Sequence, residues 1–301
     1  MPLRSAAPAG PTATATTSAA GPARARPPGP SAKERAENFP VALRLLPRAV
    51  RVDLRAVYDV VRLIDDAGDE YEGDRTARLA ALSAELADLW AGRPVRTPAL
   101  VRLSRTVASR QLPEEPFQRL ISANLQDQRV FRYADSAALR DYCALSAAPV
   151  GRLVLALFGV PPDDERLAAS DRVCAALQLL EHWQDVAEDR RAGRIYLPQD
   201  ALAAFGVAET DLDAPTASTA VRRLVLAQTD SAAELLGSGA GLVRGLRGWA
   251  RLAVAGYVAG GRATVDALRR ARGEVLAATP RPRRRDLLRH LPATLTTGGR
   301  R

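Results

Sequence analysis

Apolar residues recur at steps of three and four along most of the chain, which is the pattern of amphipathic helices. Short polar, proline or glycine breaks separate these segments, and no alternating strand pattern lies between them. The pattern predicts helices over 47–70, 75–90, 97–111, 116–129, 137–146, 150–157, 165–191, 215–236, 240–258 and 262–278. The predicted fold class is therefore all-α, with a single domain over residues 31–279 whose long helices surround a central cavity.

The two ends of the chain differ from this helical pattern. Residues 1–30 are rich in Ala, Pro and Thr without periodicity, which predicts a disordered tail. Residues 280–301 form an Arg-rich C-terminal tail around Leu287 and Leu288. A solvated tail is the favoured interpretation of this segment, and a membrane-surface contact or a phosphate clamp is the alternative. No apolar run approaches the roughly 20 residues that span a bilayer, and no signal-peptide pattern is present, so we expect a cytoplasmic protein, at most peripheral at the inner membrane face.

Two of the predicted helices carry a polar stripe on an otherwise apolar surface. The stripes consist of Tyr58, Arg62, Asp65 and Asp69 in the first helix and Gln178, Glu181, Asp185 and Asp189 in the second. Steps of three and four place each set on one helix face. An ordinary solvated face is the alternative, but Leu179 and Trp183 would then be exposed beside Asp185. Because carboxylates at such spacing repel each other, we expect a cation between the two stripes.

The residue types in the stripes define the chemistry that they support. Carboxylate oxygens are hard ligands that suit Mg²⁺ or Mn²⁺, and Mg²⁺ completes its shell with water and substrate phosphates. Arg62 adds a positive charge one turn before Asp65. The surrounding residues are aliphatic, so the rest of the ligand should be apolar. A charged head group in an apolar helical shell indicates an enzyme acting on isoprenoid diphosphates.

The amino-acid composition narrows the range of possible functions. The 301 residues are 47% hydrophobic and 5% aromatic, with a formal net charge of +9 carried almost wholly by arginine. This charge reflects either the composition of the genome or attraction to a membrane surface or anionic ligand. It is scattered and accompanies no recognition motif, so nucleic-acid binding is disfavoured. Two cysteines in a chain of this size do not form a disulfide scaffold.

Several segments resemble a known family. The segments 65–70 and 184–189 are similar to the two aspartate-rich motifs of the squalene and phytoene synthase family. Collinear support comes from the segments 37–40, 142–143 and 193–198. Within the family, the chain most resembles the bacterial hydroxysqualene synthases of hopanoid biosynthesis. The resemblance implies an isoprenoid-synthase-type helical bundle.

The resemblance also implies an activity and a set of site residues. The activity is conversion of presqualene diphosphate to hydroxysqualene with two or three Mg²⁺ ions and without NADPH, and a presqualene diphosphate synthase is the implied partner. The implied metal ligands are Asp65, Asp69, Glu181, Asp185 and Asp189, of which the four aspartates are also the implied catalytic residues. The implied substrate-binding residues are Asn38, Phe39, Tyr58, Arg62, Tyr142, Gln178, Gln184, Arg194 and Tyr196. Condensation of two prenyl diphosphates, to presqualene diphosphate or phytoene, is the alternative within the family.

The chain departs from the family pattern at two places. Glu181 stands where relatives usually have Asn, which adds a carboxylate near Asp185. Gly260 and Gly261 stand where many relatives have a substrate-facing tyrosine, and Tyr257 is the residue that compensates in this interpretation. Neither departure removes the four aspartates.

Overall fold

The computed structural model describes residues 46–296, in which α-helices are joined by short loops. In chain order the helices are α1 (Arg48–Asp69), α2 (Arg75–Trp90), α3 (Pro98–Arg110), α4 (Glu115–Asp127), α5 (Ser136–Ser146), α6 (Ala148–Leu157), α7 (Asp164–Gln184), α8 (Val186–Arg191), α9 (Gln199–Ala204), α10 (Thr219–Gly239), α11 (Leu242–Gly245), α12 (Gly248–Arg270) and α13 (Arg284–Thr296). Over these residues, β-type pairing is limited to an isolated bridge between Arg132 and Ile195. The predicted all-α fold class is confirmed.

Several helices begin at a residue whose side chain caps the first turn. Asp74, Asp135, Asp163 and Ser218 each accept a hydrogen bond from a backbone N–H two or three residues further along. Such a cap satisfies an N–H group that has no partner within the helix, and its replacement by Ala typically costs about 1 kcal/mol. The sequence therefore fixes the start of α2, α5, α7 and α10 locally.

The helices that carry the two polar stripes are α1 and α7. Helix α7 packs against α5, α6, α10 and α12, whereas α1 packs against α2, α3, α4 and α6. Apolar side chains such as Val60 and Ile64 of α1 and Ala176 and Leu180 of α7 are almost fully buried. Because α6 packs against both helices, the apolar surfaces of α1 and α7 belong to one bundle. The predicted apolar faces of both helices are confirmed.

The second acidic segment differs from the single helix predicted over 165–191. The chain bends at Asp185, which ends α7 and precedes α8. The backbone N–H of Asp185 donates to the carbonyl of Glu181 over 3.0 Å, and the Asp185 carbonyl accepts from the N–H groups of Glu188 and Asp189, each over 2.9 Å. The bend therefore keeps its backbone hydrogen bonds while it interrupts the helix at a predicted metal ligand.

Helix α12 is continuous where the sequence pattern predicted two helices separated at 259–261. Gly260 and Gly261 are buried within it. A Cβ atom at Gly261 would lie 2.8 Å from a methyl carbon of Leu177 and 2.8 Å from one of Leu236. The glycine thus permits close approach of α12 to α7 and α10, and that packing accounts for a small residue at this position. Tyr257, the residue expected to compensate, is half-buried on the same helix.

The C-terminal segment differs from the solvated tail predicted from residue 280 onward. Helix α13 packs along α12. His290 Nε2 lies 2.7 Å from Asp266 Oδ2, and Arg270 pairs with the buried Asp286 over 3.0 Å. Arg270 and His290 are therefore each matched by an acidic group on the other helix, and the sequence pattern alone did not reveal this matching.

Some predictions lie outside the described residues, namely the disordered tail over 1–30 and the substrate-binding residues Asn38 and Phe39.

Cys143 and Cys174 are both free thiols. No helix in residues 46–296 is long and apolar enough to cross a membrane.

Candidate active site

The first acidic motif occupies the last turns of α1. Arg62 pairs with Asp66 over 2.9 Å and with Glu70 over 3.1 Å, and both Tyr58 and Asp65 are half-buried. Burial raises the pKa of the Asp65 carboxyl to about 7, against the opposing effects of a hydrogen bond from Asn124 and the charge of Arg62. The neighbouring carboxylates raise that pKa further. Asp65 is therefore held where a negative charge is poorly compensated.

Helix α4 contributes polar residues that were not among the predicted site residues. Gln128 Nε2 donates to the carbonyl of Gly68 over 3.0 Å, and the Asn124 side chain lies near enough to Asp65 to lower the pKa of that carboxyl. A Cβ atom at Gly68 would lie 2.1 Å from Asn124 Oδ1, so a larger residue there would force the Asn124 side chain to move. The close approach brings the amides of α4 against the first acidic motif. The spacing of polar residues along α4 did not indicate that they would contact the first acidic motif.

Asp127, at the end of α4, is a further residue of this region that was not among the predicted site residues. Tyr142 donates its hydroxyl hydrogen to Asp127 Oδ2 over 2.8 Å, while Asp127 Oδ1 is buried without a hydrogen-bond partner among the described residues. Burial raises the pKa of this carboxyl to about 6, against the effect of the Tyr142 hydrogen bond. Asp127 is therefore a buried carboxyl suited to exchange a proton near neutral pH.

The second acidic motif lies at the bend between α7 and α8. Burial raises the pKa of Asp185, and the carboxylates of Asp189 and Glu188 raise it further. Asp189 Oδ2 is buried without a hydrogen-bond partner in the described part of the chain, and His182 Nδ1 lies 3.8 Å from it. Glu181, also a predicted metal ligand, is exposed one turn before Asp185. This motif therefore carries more negative charge than its surroundings neutralise.

Aromatic rings line the space beside the second motif. His182 stacks on Tyr196 with ring centroids 3.6 Å apart, and Tyr196 lies within 5.8 Å of the rings of Tyr133 and Tyr142. Gln178 Nε2 lies 3.2 Å from His182 Nε2, one turn away on α7. The predicted substrate-binding residues Tyr142, Tyr196 and Gln178 are thus brought together, with the buried His182 as an additional member of the group.

Arg194 joins the two acidic motifs. It follows α8 in the chain, and it donates a hydrogen bond to Asp69 Oδ1 of α1 over 2.9 Å. The β-bridge between Arg132 and Ile195 fixes the backbone next to it, with the Ile195 N–H donating to the carbonyl of Phe131 over 3.0 Å. A small cavity beside this arginine is lined by Arg194, Asp189, His182 and Tyr196, among others. Arg194 is therefore tied to the first motif by its side chain and to the second by its backbone N–H, which donates to the Asp189 carbonyl over 2.8 Å.

Gln184, a predicted substrate-binding residue, contacts a distant segment of the chain. Its side-chain Nε2 donates to the backbone carbonyl of Pro280, in the segment between α12 and α13. The described structure thus uses Gln184 to hold another part of the chain against the second motif.

The carboxylate groups fit divalent cations that are bound together with a substrate. A cation would give a partner to the buried oxygens of Asp127 and Asp189 that have none. It would also relieve the repulsion that Asp65 and Asp185 each experience from neighbouring carboxylates. No three acidic, histidine or cysteine side chains of residues 46–296 are arranged to hold a metal ion by themselves. Mg²⁺ commonly takes only one or two protein carboxylates and fills its shell with water and phosphate oxygens. The residues present therefore fit Mg²⁺ ions that bridge protein and diphosphate.

An all-α bundle with two acidic motifs flanking an arginine defines the class of helical isoprenoid synthases. Comparison with known families agrees, since the squalene/phytoene synthase family matches residues 32–289. The chain belongs to the squalene/phytoene synthase family. This family acts on prenyl diphosphates in isoprenoid biosynthesis.

Individual relatives include more than one activity. A hydroxysqualene synthase from Rhodopseudomonas palustris is 36% identical over 206 residues, which is 68% of this chain and 70% of that protein. A presqualene diphosphate synthase from Zymomonas mobilis is 34% identical over 178 residues, covering 58% of this chain and 60% of that protein. The crystal structure of the squalene synthase HpnC from Alicyclobacillus acidocaldarius superimposes with a TM-score of 0.74 at 42% identity, covering 78% of this chain and 89% of the other.

Proposed function

We propose that this chain converts presqualene diphosphate and water to hydroxysqualene and diphosphate, in a Mg²⁺-dependent step of squalene and hopanoid biosynthesis. The observation that carries the proposal is the meeting of α1, α4 and α8 carboxylates around Arg194 and the His182–Tyr196 stack. The 36% identity to a hydroxysqualene synthase supports the proposal of this reaction.

The reaction begins with cleavage of the bond between carbon and the diphosphate oxygen, and the electron pair stays on the diphosphate. Asp65 and Asp69 on one side and Asp185 and Asp189 on the other would hold Mg²⁺, which would supply Lewis-acid stabilisation of that leaving group. Arg194 is placed to bind the diphosphate from the same side as Asp69. Guanidinium groups pair with phosphate oxygens in a bidentate geometry, so this arginine also orients the leaving group.

The carbocation left behind needs an environment that stabilises it without reacting with it. The face of an aromatic ring carries a negative quadrupole that attracts a cation, and the buried Tyr142 ring is tilted to its neighbours rather than stacked on them. Burial also keeps bulk water away. After rearrangement, the oxygen of one water molecule adds to the cation and a proton is lost. Asp127, which has an unpartnered buried oxygen and a pKa raised to about 6, is suited to accept that proton.

A second function is favoured by the 34% identity to a presqualene diphosphate synthase. In that case the chain would condense two farnesyl diphosphates into presqualene diphosphate. Under the first proposal such a synthase is instead a separate partner that supplies the substrate. The same acidic motifs serve either reaction, so the products distinguish them.

Product analysis by GC-MS tests the proposal. The purified protein with Mg²⁺ is offered presqualene diphosphate or farnesyl diphosphate, each with and without NADPH. We expect hydroxysqualene from presqualene diphosphate, independent of NADPH. Presqualene diphosphate formed from farnesyl diphosphate, without any alcohol, would instead establish the condensing activity.

A further inference from the structure

Two site residues, Asp189 and Arg194, lie at the two ends of one turn, called the 189–194 turn here. The backbone N–H of Arg194 donates to the carbonyl of Asp189 over 2.8 Å, which closes the turn. Within it, Gly193 has a φ of +82°, a backbone conformation that residues with a side chain rarely adopt. Because α8 ends at Arg191, the position of the rest of the turn depends on contacts with other segments.

One such contact comes from a short 3₁₀ helix, Glu209–Asp213, called the 209–213 helix here. Arg190 Nε and Nη2 donate to Asp213 Oδ1 and Oδ2 over 2.7 and 2.8 Å, and Arg190 Nη1 donates to Glu209 Oε2 over 3.5 Å. Arg190 directly follows Asp189 in the chain. The 209–213 helix therefore holds the turn at the end that carries Asp189.

A second contact holds the other end of the turn. Arg132 Nε and Nη2 donate to Glu209 Oε1 and Oε2 over 2.7 and 2.9 Å, which is a bidentate ion pair. Arg132 Nη1 donates to the carbonyl of Gly193 over 2.7 Å and to that of Phe131 over 2.8 Å. Since the Glu209 carboxylate sets the orientation of this guanidinium, it also fixes the carbonyl that directly precedes Arg194.

The Glu209 carboxylate joins the two contacts, because it accepts hydrogen bonds from both Arg132 and Arg190. The hydrogen bonds from Arg132 hold the pKa of Glu209 below its usual range against the opposing effect of burial, and the charge of Arg190 lowers that pKa further. Glu209 is therefore negatively charged at neutral pH. In the described part of the chain, Asp213 pairs with Arg190 and not with Arg132.

The 209–213 helix is itself fixed to the body of the protein. Leu212 is buried in the core, and it lines the small cavity beside Arg194. The backbone N–H of Ala208 donates to Asp211 Oδ2 over 2.8 Å, which stabilises the start of the helix. The carboxylate of Glu209 is therefore presented from a support that does not depend on the two arginines.

We propose that Glu209 is a positioning residue, which holds Asp189 and Arg194 in their relative places in the active site. It acts through Arg190 and Arg132 and does not touch the substrate. The inference rests on the proposed function only in taking the ligand of the site to be a prenyl diphosphate. It gives an acid outside both acidic motifs an indirect role in binding that ligand.

Calorimetric binding of inorganic diphosphate in the presence of Mg²⁺ tests this role. Glu209→Gln preserves the size of the side chain, but an amide has one acceptor oxygen and cannot pair with both arginines in the same way. Binding should weaken about tenfold, because the geometry of the site is no longer fixed before the ligand arrives. Equal affinity in wild type and Glu209→Gln, or no binding by wild type, would overturn the inference.

Asp230→Asn is a matched control. Asp230 of α10 accepts two hydrogen bonds from Arg269 of α12, over 2.7 and 3.1 Å, so this variant also removes a carboxylate that joins two segments. Its diphosphate affinity should change less than about twofold. Urea denaturation of both variants should give similar midpoints. Equal losses of affinity in the two variants would overturn the inference.

Two further measurements distinguish a positioning role from a general effect on stability. Glu209→Gln should speed cleavage by trypsin after the exposed Arg191, because the turn is held less firmly. In the double variant with Arg132→Gln the losses of diphosphate affinity should not add, since both changes break the same ion pair. Unchanged cleavage together with fully additive losses would contradict a positioning role.

These measurements separate the inference from the proposed reaction. If wild-type protein makes no hydroxysqualene but Glu209→Gln selectively weakens diphosphate binding, only the assigned reaction is wrong. If hydroxysqualene is formed and Glu209→Gln binds diphosphate as wild type does, only the role of Glu209 is wrong. Circular dichroism of each variant verifies that the helical fold is retained.

Discussion

Arg194 and Asp69 form an ion pair of 2.9 Å that connects two acidic motifs lying far apart in the chain. The pair places the guanidinium of one predicted substrate-binding residue on the carboxylate of a predicted metal ligand. Binding of a diphosphate with its metal ions would offer both groups new partners of opposite charge. The ion pair therefore keeps both side chains in place until the ligand replaces it.

Arg194→Gln should lower kcat/KM for the prenyl diphosphate by about 100-fold, because it removes a charge-assisted contact to the leaving group. The free energy of unfolding should fall by no more than about 1 kcal/mol, since half of the Asp69 side chain is exposed. Steady-state kinetics and urea denaturation measure the two effects. A large loss of stability with unchanged turnover would assign Arg194 a structural role instead.

Asp185→Asn should abolish turnover while the protein remains helical. The substitution preserves the size of the side chain and relieves the repulsion with Asp189 and Glu188, but it removes a carboxylate ligand for Mg²⁺. A drop of at least about 100-fold is expected, given that metal ions contribute several kcal/mol to charge stabilisation. Circular dichroism verifies the fold, and titration of the activity with Mg²⁺ measures the effect on metal use. Asp65→Asn should give the same results as Asp185→Asn. Full activity in either variant contradicts the bridging role of the metal ions.

The sequence predicts the parts of this site that depend on local spacing. Steps of three and four identify the polar stripes of α1 and α7, and the apolar residues between them identify the faces that are buried. Helix boundaries follow where a capping residue such as Asp163 marks the start. These features arise from interactions within one helix and are visible in a short stretch of sequence.

The parts that the sequence did not predict depend on contacts between distant segments. The contribution of Asn124 and Asp127 requires the close approach of α1 and α4, which a single buried glycine, Gly68, permits. The packing of α13 depends on pairing of its residues with acids and arginines of α12, and the contact of Gln184 with Pro280 spans 96 positions. No local pattern marks such pairs.

The pKa of Asp127 predicts how stability changes with pH. Its folded-state value of about 6 lies above the ordinary 3.8, so the folded protein binds a proton that the unfolded chain has released between these values. The contribution of Asp127 to the free energy of unfolding therefore falls as pH rises from about 4 to about 6. Asp127→Asn should remove that decrease and raise the stability of the metal-free protein at pH 8 by about 1–3 kcal/mol. Urea denaturation from pH 5 to pH 8 measures it; identical pH profiles for both proteins would contradict the assignment.

Gly68→Ala should displace the Asn124 side chain and disturb the first acidic motif. The added Cβ would lie 2.1 Å from Asn124 Oδ1, and overpacking of this kind costs about 1–3 kcal/mol. Gly237→Ala is a matched control, because a Cβ atom added there would meet nothing within 4 Å and the residue also lies in a helix, α10. That substitution should be neutral or stabilising by up to about 1 kcal/mol. Thermal unfolding of the two variants makes the comparison, and equal shifts would argue against the close approach.

The outer surface of α13 combines an exposed leucine with arginines, and this combination suits contact with a membrane. Leu288 is 73% exposed, and exposed arginines, Arg284, Arg285 and Arg289, surround it. Each basic residue near an anionic surface contributes about 1 kcal/mol, and an exposed leucine adds apolar burial. We expect the protein to sediment with vesicles containing anionic lipid, less so at high salt, and not with zwitterionic vesicles. Leu288→Ser combined with Arg284→Gln should reduce this binding at least about tenfold. Because neither residue is part of the acidic motifs, turnover of substrate dispersed in detergent should be unchanged; equal sedimentation of the variant and wild type would rule out α13 as the contact surface.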